Sequence, residues 1–95
     1  LAPQVMVDCS HGNSQKDYRK QPEVAAKLCD QIAGGCHSIA AVMIESNLVE
    51  GNQRLGDDLT SLVYGQSVTD ACISWQSTEA VLEAFSQAVR ARRDR

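Results

Sequence analysis

The order of three segments constrains this chain more than any other feature: an apolar run at residues 5–7, a helical pattern closed by Gly34-Gly35, and a second apolar run at residues 39–44. In QVMVDCSHGN, residues 4–13, the side chains of Val5, Met6, Val7 and Cys9 lead into a polar cluster with a His, a Gly and an Asn. Strands covered on both faces read as continuous apolar runs, so residues 4–10 are expected to form a buried strand, followed by a polar loop through residues 12–15. Side-chain alternation puts Val5, Val7, Cys9 and His11 on one face of it.

A helix is expected from about Asn13 or Ser14. Pro22 is tolerable there only near a first turn or at a kink, and Val24, Ala25, Leu28, Cys29 and Ile32 make one buried stripe. Gly34-Gly35 supplies a left-handed cap. SIAAVMIES, residues 38–46, is too short for a confident helix and reads as a second buried strand, with Ile39, Ala41, Met43 and Glu45 on one face. Strand, helix, strand in this order makes a right-handed βαβ unit with parallel strands. Parallel strands end together, so His11 and Glu45 should lie side by side, at the end of the sheet where such folds gather their sites.

Residues 47–69 are long for a strand-to-helix loop, and loops of this length are usually functional or mobile. The segment delivers Asp70 just before Ala71, Cys72 and Ile73. Ser77 suits the cap of a last helix, Glu79 its first turn, and Val81, Leu82, Phe85, Ala88 and Val89 its buried stripe. The plan is two βα units, an α/β arrangement with too few strands to stand alone.

Composition narrows the function. Ninety-five residues, 43% hydrophobic and 22% charged, allow one small unit with a modest core. A net charge of −3 gives no electrostatic reason to expect nucleic acid, and Arg90, Arg92, Arg93 and Arg95 form a short basic tail that favours the negative end of a helix dipole. No apolar run approaches the roughly 20 residues of a membrane span, and no signal peptide opens the chain, so a soluble, cytoplasmic protein is expected. The four cysteines, Cys9, Cys29, Cys36 and Cys72, show neither a CxxC pair nor zinc-site spacing. They read as buried free thiols in a reducing compartment, with a disulfide framework as the alternative. Leu1 stands where an initiator Met is absent and leads straight into a strand, so the chain is expected to be a fragment.

Each candidate site residue also has a structural explanation. A lone His at a strand end is more often hydrogen-bonded than a ligand. Asp70 is suited to capping or solvating a loop. Glu45 continues the inward face of an apolar strand, where a carboxylate costs several kcal/mol to bury unless it is paired, protonated or bound to a cation. One imidazole and two carboxylates together suit a borderline divalent metal such as manganese, iron, cobalt or zinc.

The runs QVMVDCSHGNSQKDYRKQ, QIAGG, VMIESNLVEGNQ and YGQSVTDACISW resemble the C-terminal portion of the type I 3-deoxy-D-arabino-heptulosonate 7-phosphate (DAHP) synthases, the first enzymes of the shikimate pathway, over essentially the whole chain. The resemblance implies a (β/α)8 TIM barrel of which residues 1–95 are one partial domain, the seventh and eighth strands with their helices. It implies a metal-dependent, aldol-like condensation of phosphoenolpyruvate with erythrose 4-phosphate that releases phosphate. The family's metal-binding His, Glu and Asp fall on His11, Glu45 and Asp70, and the metal they hold would polarise the aldehyde oxygen or activate water.

In that family the fourth ligand is a Cys near the start of the barrel. None of the four cysteines here matches its motif, and Cys9 is expected only to line the site. The family's KPRTS-type phosphate motif and effector region have no counterpart in this sequence, and Lys16, Arg19 and Lys20 read as a solvated helix face. A quarter barrel should be inactive alone and should self-associate, the parent being a homo-oligomer. Two alternatives stand beside this reading. One is a self-standing small α/β module that binds a metal or a partner. The other is a 3-deoxy-octulosonate 8-phosphate synthase, against which the EGNQ and YGQSVTDACISW runs argue.

Overall fold

Parallel pairing of the two apolar runs frames the molecule, whose structure, a computed structural model, describes residues 3–13 and 17–95. The elements follow in the order β1 (Val5–Asp8), α1 (Gln21–Ala33), β2 (Ile39–Met43) and α2 (Trp75–Arg93), with short 3-10 turns at Tyr18–Lys20 and Leu59–Ser61. β1 and β2 form a two-stranded parallel sheet in which Val5 faces Ile39 and Asp8 faces Met43.

Both strands are shorter than the apolar runs predict. β1 stops at Asp8 because polar side chains take over its backbone: the Asp8 carboxylate accepts from the Ser10 N–H at 2.7 Å, and the Asn13 amide donates to the Asp8 carbonyl at 2.7 Å. Asp and Asn bonded in this way offer the chain a turn in place of a ladder. The register also shifts between Val5 and Met6, whose partners are Ile39 and Ala41. That irregularity corrects the predicted face of β2. Ile39 is buried in the core against which Val42 and Ile44 pack, so it does not share a face with Ala41 and Met43.

α1 and α2 cover one side of the sheet. Cys9, Leu28, Ile32, Ile39 and Ala88 form one buried cluster, and Ala25, Ile73 and Val81 a second, with Ile44 and Phe85 packed against both. Cover on both faces, expected from the continuous apolar run of β1, is not supplied by this chain: Met6, which alternation points away from the helices, is 64% exposed.

The stripe of α1 forms as read, with Ala25, Leu28 and Ile32 buried and Val24 and Cys29 half-buried. Its start differs. Asn13 lies in a turn, Ser14 lies outside the described residues together with Gln15 and Lys16, and the helix begins at Gln21. Pro22 then falls in the first turn, where a missing N–H costs nothing. At the other end Gly35 takes φ 106°, while the Cys36 N–H reaches the Gln31 carbonyl and the Gly35 N–H the Ile32 carbonyl, each at 3.0 Å.

α2 is capped by Ser74 rather than Ser77. The Ser74 hydroxyl accepts from the Ser77 N–H at 3.1 Å, so the helix starts ahead of the predicted cap. Its inner face carries Thr78, Val81, Phe85, Ala88 and Val89, whereas Leu82, one residue round from Val81, is 52% exposed. The basic tail does more than meet a dipole: Arg92 donates to the Cys36 carbonyl at 3.1 Å and Arg95 to the Ala33 carbonyl at 2.8 Å, fastening α2 to the end of α1. All four cysteines are free, Cys9 and Cys72 being buried. No helix among the described residues is long and apolar enough to cross a membrane.

Gly35 is the least replaceable residue of the α1–β2 turn. Gly35→Ala meets no steric block at its Cβ, whose nearest neighbour is the Arg95 side chain at 3.5 Å, but it forces a left-handed backbone on an L side chain. The expected loss is about 1–2 kcal/mol of stability, read as a lower urea midpoint at unchanged slope.

Candidate metal centre

The turn that ends β1 turns His11 out of the strand. Cys9 stays in the helix-backed core, fully buried, while His11 swings toward the C-terminal end of β2; the two do not share a face, and Cys9 does not line the cleft. Burial pushes the Cys9 thiol pKa up, reinforced by Asp8 and Cys29, so this sulfur is held as a thiol inside the core.

Three side chains converge on one point. The His11 Nε2 lies 3.2 Å from Glu45 Oε1 and 3.1 Å from Asp70 Oδ2, and one donor atom from each residue falls within 4.8 Å of the others. The three arrive from separate segments: His11 from the turn after β1, Glu45 just beyond β2, and Asp70 from the end of the long loop. Their side chains are 44%, 21% and 63% exposed respectively, which leaves the cluster open to an ion from solvent. Ser10, Asn52, Thr69 and Ala71 complete the wall of the cleft.

Neighbours orient these groups. Asp8 Oδ2 sits 2.7 Å from His11 Nδ1, and because a carboxylate only accepts, Nδ1 carries the proton and Nε2 faces the two other carboxylates. The Ser10 hydroxyl donates to Glu45 Oε1. Gln21, fully buried at the start of α1, donates its amide N–H to the Glu45 carbonyl at 3.1 Å and accepts from the Glu45 N–H at 2.9 Å. Asn52 donates to the Thr69 carbonyl at 2.9 Å, next to Asp70. Sequence reasoning missed these four contacts. Asp8 was the findable one, three residues before a His at a strand end; Gln21 gave no signal because the helix start was expected upstream. Of the cationic residues expected to follow His11, Arg19 forms an ion pair with Asp17 at 3.0 Å and Lys16 lies outside the described residues.

A model of the DAHP synthetase I family matches residues 1–83. The chain belongs to the DAHP synthetase I family. Its relatives in that family include the Phe-sensitive phospho-2-dehydro-3-deoxyheptonate aldolase of Escherichia coli, 54% identical across 98% of this chain and 26% of the relative. The phenylalanine-inhibited enzyme of Saccharomyces cerevisiae is 53% identical across 94% of this chain and 25% of its own length. The solved phospho-2-dehydro-3-deoxyheptonate aldolase of Francisella tularensis superposes with a TM-score of 0.87 at 52% identity, covering 94% of this chain and 25% of that one. The chain thus spans about a quarter of the length of the relatives it matches.

In this DAHP synthetase I chain the carboxylates around His11 shift its titration. Hydrogen bonds donated by the ring to Asp8 first and Asp70 second, with the charge of Glu45, hold the imidazole pKa above its ordinary 6.5, while the bond from His11 draws the Asp8 pKa below 3.8. Protonated His11 therefore stabilises the metal-free fold fully below about pH 6.5 and loses that contribution as pH rises through the raised value. The Asp8 contribution has the opposite sign, present above about pH 3.8 and lost as pH falls through the depressed value. Asp8→Asn should bring the His11 titration back toward 6.5 in metal-free protein. Proton NMR of the ring C–H signals reads this directly, and an unchanged midpoint would remove Asp8 as the cause.

Proposed function

We propose that residues 1–95 are one partial domain, the seventh and eighth βα units of the (β/α)8 barrel of a DAHP synthase, and that His11, Glu45 and Asp70 hold its divalent metal. The observation that carries this reading is the meeting of the three side chains within 4.8 Å at the C-terminal ends of two parallel strands. Barrel enzymes keep their chemistry at that end, in the loops that follow the strands. A nitrogen and two carboxylate oxygens also form a donor set suited to manganese, iron, cobalt or zinc.

The reaction on this reading is the condensation of phosphoenolpyruvate with erythrose 4-phosphate, with release of phosphate, in a cytoplasmic enzyme of aromatic amino acid biosynthesis that assembles as a homo-oligomer. A bound metal supplies Lewis acidity, lowering the cost of negative charge on a coordinated oxygen. The residues of this chain prepare the place. Asp8 keeps the proton on His11 Nδ1 and so presents Nε2 as the donor atom. Two carboxylates facing one imidazole repel each other unless a cation or a proton lies between them, so Glu45 and Asp70 favour a divalent ion where His11 alone would not. The bare side of the sheet, exposed at Met6, and the free edges of both strands are what the remaining strands of a barrel would cover.

Removing a ligand tests the assignment in the complete protein. His11→Ala is expected to abolish turnover and to lower bound manganese while leaving the far-ultraviolet circular dichroism near wild type. Wild-type metal content with wild-type turnover would sink it. For the 95 residues alone, an assay with manganese and both substrates should give no turnover above a blank lacking protein, because the remaining barrel is missing.

A further inference from the structure

We infer that Gln21 is a positioning residue for the metal centre, holding the Glu45 carboxylate opposite His11 through the Glu45 backbone. The inference rests on the metal reading above. Gln21 is the largest fully buried side chain of the described residues, and a buried primary amide must find partners for its donor and acceptor groups. It spends them on a single residue, accepting from the Glu45 N–H at 2.9 Å and donating to the Glu45 carbonyl at 3.1 Å. That carbonyl also accepts the Ile73 N–H at 2.9 Å. One peptide segment is thereby clamped between the first residue of α1 and the strand-like stretch that follows Asp70.

The clamp sits where the sheet no longer controls Glu45. β2 ends at Met43, so neither β1 nor its ladder fixes the backbone two residues on, although the carboxylate must meet His11 there. Both hydrogen bonds of the amide go to the Glu45 backbone, so its effect on a metal passes through backbone position.

The test compares Mn²⁺ affinity, by titration calorimetry, and the rise in melting temperature caused by Mn²⁺, in the full-length protein that carries this chain. Gln21→Met fills the same space without either hydrogen bond, and Gln21→Asn keeps the amide on a stem one methylene shorter. Both are expected to weaken Mn²⁺ binding, Gln21→Met by about 10- to 100-fold, the range typical of residues that orient metal ligands, and Gln21→Asn by less. The Mn²⁺-induced rise in melting temperature should shrink in the same order. A purely structural residue would lower the metal-free melting temperature and leave the Mn²⁺-induced rise intact, which overturns the proposal, as does affinity within twofold of wild type in whichever variant folds. Wild-type protein that takes up no Mn²⁺ defeats the metal reading itself, and the positioning role with it.

Discussion

Everything at the cleft depends on two strands running the same way. An antiparallel pair would put the end of β2 beside the beginning of β1, and the residues after Asp8 and Met43 would lie at opposite ends of the sheet. In the parallel register Asp8 pairs with Met43, and the Cys9 N–H still bonds to the Met43 carbonyl at 2.8 Å, so both chains leave the ladder together. A helix between them makes this pairing possible, and its packing against Cys9 and Ile39 makes it stable. The core and the cleft are two ends of one arrangement, with Cys9 in the first and His11, two residues later, in the second.

The cluster is acidic by construction. Asp8, Glu45 and Asp70 surround a single imidazole, and the Ser10 hydroxyl donates to the Glu45 carboxylate. Carboxylates this close favour a proton or a cation between them, and they hold the His11 imidazole pKa above its ordinary value. On the proposed reading a divalent ion would compete with an Nε2 proton for the same lone pair, linking metal uptake to proton release. Asp8 is bonded to the far nitrogen and orients the ring whether a proton or a metal occupies Nε2.

What the sequence revealed and what it withheld divide along physical lines. The apolar runs and Gly34-Gly35 were enough to find two strands, a helix and its cap, because period and left-handed geometry are local properties. The meeting of His11 with Glu45 followed from parallel pairing alone. The face assignments failed because each assumed perfect alternation: the register shift beside Val5 moved Ile39 to the helix side, and the Asp8–Ser10 turn released His11 from the face of Cys9. The start of α1 was placed too early although Pro22 is suited to a first turn, and with it went Gln21, whose partner is 24 residues away. A contact between a side-chain amide and a distant backbone has no periodic signature to read.

The long loop shows how Asp70 reaches the cluster from so far along the chain. Side-chain amides stand in for the ladder that the loop lacks: Gln53 donates to the carbonyls of Val63 and Gln66 and accepts from the Val63 N–H, and Gln66 donates to the Glu50 carbonyl. Gly51 and Cys72 exchange two backbone bonds, of 2.8 and 3.1 Å, just past the aspartate. Gly65 packs so closely on Leu48 that a Cβ there would stand 2.8 Å from the leucine Cβ, and its φ of 80° already favours glycine. Such cross-bracing argues for a fixed loop rather than a mobile one, even though Tyr64 at its tip is 89% exposed. The three arms of the cluster are therefore held by different means. His11 is set by a carboxylate on its ring and Glu45 by a buried amide on its backbone, while the position of Asp70 is distributed over many bonds of the loop. A distributed support tolerates the loss of one member better than a single clamp does, so Asp70 should be the arm least sensitive to any one substitution around it.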